Sequence, residues 1–274
     1  MSLLNIAEVF GYCIGDHSAE ALASRAEKWC PFRQKACNKG RRSDPLGVCS
    51  FGDEQIAGAV CPSRFLEGRQ IFQDIGRAAF GQGVPLVVAP EMRILNVGEK
   101  IIRRVGKVDF LIGCANQAGS VTDFCALEIQ AVYFSGQSIV AHFKEFMRTG
   151  ALPPEAKRRL DYRSSAQKRL MPQLSLKVPV FRRWGKKFFV AVDSLFFQNL
   201  PKMKTVESLA NSEITWLVYD LRKQGQGYSL VNPTFHFTVW DDVLTALREG
   251  RAPTPEEIMQ EMMTRKNTLR LVTI

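Results

Sequence analysis

The sequence predicts an α/β protein with a mixed central sheet flanked by helices and an N-terminal four-cysteine metal-binding segment. Three observations carry that prediction. Short apolar runs broken by Gly, Asn and Ser, namely PLVVAPEMRIL (85–95), KVDFLIGCA (107–115) and DFCALEIQAVYF (123–134), read as successive strands. Stretches with apolar residues near a 3.6-residue period stand on both sides of them. Upstream, Cys30, Cys37, Cys49 and Cys61 fall in a segment rich in Gly and Pro.

The chain has 274 residues, 46% hydrophobic and 23% charged, enough for one large or two small domains. We divide it at residue 63, with a helix and the cysteine segment in 1–63, and the sheet, the basic segment 157–187 and the C-terminal strands and helices in 64–274. No run approaches the roughly 18 apolar residues of a membrane span, and MSLLNIAEVFGYCIGDHSAE carries acids where a secretory signal carries Lys or Arg. A cytoplasmic protein is expected. Seven cysteines, an odd number, point to thiols and metal ligands in a reducing compartment rather than a disulfide framework.

In chain order, HSAEALASRAEKW reads as a helix capped by Asp16 or Ser18. The four cysteines follow, separated by six, eleven and eleven residues, with Gly40, Pro45, Gly47 and Gly52 between them. Backbone so rich in turns has little apolar packing of its own, and four thiolates around one Zn²⁺ or Fe would order it. The alternative is four separate buried cysteines acting as small hydrophobes. Cys13 is a spare ligand candidate, while Cys114 and Cys125 lie in apolar strands and read as core. Residues 64–81 read as a helix through Phe65, Ile71, Phe72, Ile75, Ala79 and Phe80.

The strands carry acids. Asp109 sits in one apolar run, and Glu128 and Gln130 leave one face of the next at i and i+2. Glu91 is an acid in the run before them. An acid in a strand centre is costly to bury unless it is paired or metal-bound. A hairpin aiming Asp109, Glu128 and Gln130 at one spot suits Mg²⁺, a hard cation held by one or two carboxylates, water and phosphate.

SGQSIVAHFKEFMRTG is an amphipathic helix in which His142 reads as structural. After the Pro153–Pro154 linker, residues 157–187 hold eleven basic side chains against one acid, Asp161, and part of this block, 164–176, reads as helical. The net charge of the chain is +10, and outside this block 26 basic residues meet 26 acidic ones. A charge run is by default a solvated face, yet so lopsided a block with Pro and Trp184 among its charges predicts a polyanion, nucleic acid above all. Candidate contacts are Arg163, Lys168, Arg169, Arg182, Arg183 and Lys186. FFVAVDSLFFQNL (188–200) and ITWLVYDLRK (214–223) read as strands carrying the weaker acids Asp193 and Asp220, and WDDVLTALREG and TPEEIMQEMMTRK as helices.

A helix, a meander bearing an acid, an acid and Glu-x-Gln, and a following helix together resemble the core of the PD-(D/E)XK nuclease superfamily. FGY (10–12), CPF (30–32), GVCS (47–50), CP with Arg64 shortly after, DFLIG (109–113), LEIQAVYFSG (127–136), KRLMPQLSLKVP and RRWGKK further resemble the NotI-type restriction endonucleases, over roughly the first two-thirds of the chain. The resemblance implies a type II restriction endonuclease of a restriction-modification system. Such an enzyme cuts both strands of a palindromic, GC-rich DNA site as a homodimer, with a DNA methyltransferase as functional partner. It implies Glu91, Asp109, Glu128 and Gln130 as the catalytic set, with Asp109 and Glu128 binding Mg²⁺ and Gln130 standing where most of the superfamily has Lys. It also implies Cys30, Cys37, Cys49 and Cys61 as ligands of a structural iron, with zinc as the alternative. Two other readings are a non-enzymatic metal-ribbon DNA-binding protein and a PD-(D/E)XK nuclease of low sequence specificity in repair or mobile-element biology.

Overall fold

In a computed structural model of the chain, the apolar runs assemble into one ten-stranded mixed sheet. The structure describes residues 5–41, 44–53, 55–98, 103–136, 138–151, 158–248 and 253–264. The sheet strands are β1 (Asn5–Val9), β2 (Tyr12–Cys13), β3 (Val48–Gly52), β4 (Ile56–Ala59), β5 (Leu86–Val97), β6 (Arg103–Ala115), β7 (Val121–Ile129), β8 (Phe188–Asp193), β9 (Ile214–Gln224) and β10 (Gly227–Thr238). Their order is β2-β1-β3-β4-β9-β8-β7-β6-β5, with β10 pairing on β9.

The meander read from sequence is present. β5, β6 and β7 are antiparallel neighbours, with Val108 opposite Met92 and Leu111 opposite Ala126. From β7 the sheet turns parallel, to β8 and then β9. Parallel strands covered on both faces need continuous apolar sequence, and all six residues of FFVAVD in β8 are buried. Joining parallel neighbours requires a crossover; after the earlier helices α1 (Ala19–Ala26) and α2 (Gln70–Phe80), the chain between β7 and β8 supplies it with α3 (Val140–Thr149) and α4 (Met171–Trp184).

Three expectations need correction. The apolar run 188–200 is one strand only to Asp193, whose carboxylate accepts the Phe196 N–H at 2.8 Å and caps the short helix Ser194–Gln198. The helix expected over 64–81 is regular only over Gln70–Phe80, because Glu67 and Gly68 leave helical dihedrals, Gly68 at φ +55°. Conversely, the helical part of the basic block runs well past Leu176. Tyr162–Ser165 and a π-turn at Ala166–Leu170 lead into α4, which tolerates Pro179 and stops at Gly185 with φ +65°. The helix Ala19–Ala26 is capped by Ser18, as its sequence predicts. The Pro153–Pro154 linker and Lys157 lie outside the described residues.

The N-terminal strands join the same sheet: β4 pairs with the far half of β9, Ala57 opposite Leu221. Arg64, fully buried, ties this region together, with Nε 2.8 Å from Glu8 Oε2, Nη1 2.9 Å from Glu67 Oε2 and Nη2 2.5 Å from the Tyr228 carbonyl. One apolar core, including Val108, Ala126, Phe143, Phe146, Leu174, Phe181, Val190 and Trp216, holds α3, α4 and the helix Trp240–Arg248 against the sheet. A second core, with Phe65, Ile71, Ile75, Ile112, Leu127, Phe189 and Tyr219, holds the helix Gln70–Phe80. Alternate residues of β8 enter the two cores in turn, the period-two signature of a strand.

Candidate active site

Asp109 and Glu128 meet across the β6–β7 ladder. The register that sets Phe110 opposite Leu127 brings the next pair, Asp109 and Glu128, side by side. Two hydrogen bonds lock them. The Asp109 N–H donates to Glu128 Oε1 at 3.2 Å, and the Ile129 N–H donates to Asp109 Oδ2 at 3.0 Å. Neither bond uses Glu128 Oε2 or Asp109 Oδ1. Glu128 is only 2% exposed, and burial, reinforced by the charge of Asp109 and opposed by Lys177, raises its pKa to about 7. Burial also raises Asp109. Two carboxylates held together away from water disfavour their own ionisation, and a cation between them relieves that cost.

Glu91 stands at the rim. It falls between the pairs Met92–Val108 and Pro90–Phe110, opposite Asp109, and its charge bears on Asp109. Its side chain is exposed and pairs with Lys107 at 3.0 Å, which holds its carboxyl below the usual carboxylate range. Its backbone lies at φ +58°, a left-handed conformation that a glutamate in a strand adopts only at a cost of roughly 1–3 kcal/mol. Gln130 is buried just past the end of β7. Its Nε2 donates to the Ala131 carbonyl at 2.5 Å and its N–H donates to the Ala191 carbonyl at 2.9 Å. The structure therefore joins Asp109 to Glu128, sets Glu91 across from them on the exposed side, and ties the Gln130 amide to the backbone of Ala131.

The residue missed from sequence is Lys177. Counted there only as one charge in a basic block, it is buried on α4 with Nζ 2.6 Å from Glu128 Oε1 and 3.2 Å from Gln173 Oε1. The signal was present: Leu170, Leu174, Val178 and Phe181 are the buried stripe of this helical segment, and Lys177 falls on it.

The four cysteine thiols of the N-terminal segment are free and share one neighbourhood, with the charge of Cys61 bearing on Cys30, Cys37 and Cys49. Burial pushes Cys30 and Cys37 up and Cys49 well up. Lys39 reaches between them, donating to the Val48 and Val60 carbonyls, both at 2.7 Å. Their donor chemistry suits a thiolate-bound ion, yet among the described residues no three His, Cys, Asp or Glu side chains stand in a metal-holding arrangement. Cys13 lies beside Lys223 instead, Sγ to Nζ 3.5 Å.

The DNA-contact candidates divide. Arg163, Lys168, Arg169 and Arg183 are exposed on the helical block, with the Arg169 guanidinium 3.4 Å over the Tyr133 ring. Arg182 is held by Glu213 at 2.8 Å and Asp241 at 3.8 Å, and Lys186 by Asp123 at 2.5 Å.

A family model described as the restriction endonuclease NotI matches residues 8–231. The chain belongs to the NotI restriction endonuclease family. It is thus a type II restriction endonuclease, a site-specific deoxyribonuclease whose substrate is DNA. This sets aside both the non-enzymatic DNA-binding protein and the nuclease of low sequence specificity. A search of curated proteins gave no match. The NotI family span takes in Glu8, the four cysteines, the acids of the meander, Lys177 and the first five residues of β10, and it stops before the helix Trp240–Arg248. No described helix is long and apolar enough to cross a membrane.

Proposed function

We propose that this enzyme makes Mg²⁺-dependent double-strand cuts at a palindromic, GC-rich DNA site as a homodimer, through a PD-(D/E)XK hydrolytic core built on Asp109 and Glu128. The observation that carries the reading is the interlocked pair itself. Asp109 Oδ2 and Glu128 Oε1 are engaged by backbone N–H groups, and those bonds leave Oδ1 and Oε2 to face a cation. Bound there, Mg²⁺ supplies Lewis-acid polarisation of the phosphate and a lowered pKa for attacking water. The chain's own part is to hold the two carboxylates side by side in a place where water competes poorly for them. Glu91, opposite Asp109 on the exposed side, is placed to accept a proton from attacking water or to support a second ion. Gln130, neutral and bonded to Ala131, packs the end of β7 and orients solvent at the site.

Substrate recognition is assigned to the helical block. Exposed Arg163, Lys168, Arg169 and Arg183 contact phosphates or, as Arg and Lys do with guanine O6 and N7, read GC pairs in the major groove. Arg182 and Lys186, held by acids in the free chain, must exchange those partners to take the same role. Cys30, Cys37, Cys49 and Cys61 would hold a structural iron or zinc, which would draw the thiols into closer register. A DNA methyltransferase that protects the same site completes the restriction-modification system.

The test is Asp109→Asn, which removes one charge and keeps the shape. Cleavage should fall by at least about 10³-fold, several kcal/mol of lost transition-state stabilisation, while DNA binding in Ca²⁺ stays within a few-fold of the parent. Cleavage at near the parent rate places the hydrolytic centre elsewhere.

A further inference from the structure

Hydrolysis of a phosphodiester concentrates negative charge. Asp109, Glu128 and the scissile phosphate are each anionic, and the phosphate gains a further charge as water adds to phosphorus and before the bond to the leaving oxygen breaks. Position 130 contributes no charge to balance this, since its amide is neutral and bonded to Ala131. Lys107 on β6 pairs with Glu91 at the exposed rim, whereas the ammonium bonded to Glu128 comes from a helix distant in sequence: Lys177 Nζ lies 2.6 Å from Glu128 Oε1. Its side chain is 6% exposed and Glu128 is 2% exposed. The Gln173 side chain, one turn earlier on α4, holds the same ammonium at 3.2 Å. Leu174, Val178 and Phe181 bury the helix face from which Lys177 projects, so the ammonium is delivered by a packed element rather than a mobile arm.

A buried ion pair is weak evidence for stability, because apolar residues of similar size often replace one at little cost. Its placement is more informative here. Lys177 engages Oε1, the oxygen that also accepts the Asp109 N–H, and neither bond uses Oε2. We propose that Lys177 is the cationic positioning residue of the hydrolytic site, fixing the rotamer of Glu128 and supplying from α4 the positive charge that Gln130 cannot supply from the strand. The inference rests on the reading of Asp109 and Glu128 as the hydrolytic pair.

The experiment compares Lys177→Met, Lys177→Arg and Lys177→Met combined with Gln130→Lys, in the full chain. Single-turnover cleavage at saturating DNA and Mg²⁺ is measured beside DNA affinity in Ca²⁺ and the far-ultraviolet circular dichroism spectrum. Lys177→Met should cut at least about 10²-fold more slowly with affinity and spectrum unchanged, and either Lys177→Arg or the added Gln130→Lys should recover at least tenfold. Cleavage by Lys177→Met within threefold of the parent overturns the proposal. So does loss that neither charge-restoring change repairs, or loss accompanied by a changed spectrum or weakened binding in Ca²⁺, since each marks a packing or DNA-contact role. Asp109→Asn separates the two levels. If it cuts normally, the reading of the pair fails; if it is inactive while Lys177→Met cuts normally, only the assignment of Lys177 fails.

Discussion

Glu128 makes the stability of the metal-free enzyme depend on pH in a direction that can be worked out. Its pKa is raised from 4.5 to about 7, first by burial and then by the charge of Asp109. Between those values the folded chain retains a proton that the unfolded chain has released, so stability falls as pH rises through this window and the loss is complete above pH 7. A displacement of that size costs the ionised form about 3 kcal/mol, or roughly 10 °C in Tm for a chain of this length. Glu128→Gln removes the titration but keeps an oxygen to accept from the Asp109 N–H and from Lys177. Asp193, fully buried and raised to about 6, adds a loss of the same sign between 3.8 and that value. It does so equally in parent and variant, so the difference isolates Glu128. The assay is urea or thermal unfolding in EDTA from pH 4.5 to 8. The parent should lose about 3 kcal/mol more than Glu128→Gln, and Ca²⁺ at pH 8 should restore stability to the parent alone. Parallel profiles, within about 0.5 kcal/mol of each other, would refute the reasoning.

Arg64→Ala strands Glu8 in the core and should cost roughly 3–5 kcal/mol by chemical denaturation, whereas the double change Glu8→Gln with Arg64→Met should cost clearly less. Elemental analysis of the purified protein should find about one iron or zinc per chain, lost together with thermal stability in Cys61→Ser; a metal-free, equally stable parent would reject the cysteine site. Lys168→Ala should weaken binding to cognate and unrelated DNA alike and lower the salt dependence by about 0.9 in the log–log slope, while a change confined to one base position would make Lys168 a base reader.

The β5–β7 meander was legible because short apolar runs between breakers have few other uses, and the acids within it stood out against that background. Elements were lost where one signal covered two structures. FFVAVDSLFFQNL is apolar nearly throughout, so the helix start at Asp193-Ser194 was hidden, although an Asp just before a helix is a capping signal. β10 was missed because Asn232 at φ +52° and Pro233 interrupt its alternation, features that pairing with β9 tolerates. β1 hides a glutamate among buried residues, and only Arg64, far along the chain, makes Glu8 a core residue. Lys177 was obscured by its company. Ten other basic residues surround it between 157 and 187, and composition alone cannot separate the one that faces inward.

The position of the acids in the sheet follows from its change of direction. β7 is antiparallel to β6 on one side and parallel to β8 on the other. In open α/β sheets, binding sites form beyond the carboxyl ends of parallel strands, and Glu128 and Gln130 lie at that end of β7. The equivalent end of β8 is closed: Asp193 accepts from the Ala59 N–H at 3.0 Å and the Phe196 N–H at 2.8 Å, which commits its carboxylate to holding β4 and a helix start. An acid at each strand end would look equivalent in a sequence, yet Asp193 has both oxygens taken by backbone donors, while Glu128 is opposed by Asp109 and takes the Asp109 N–H and the Lys177 ammonium on one oxygen, Oε1. That contrast is what favours the proposal that the end of β7, with its carboxylate pair, takes up a cation and a phosphate.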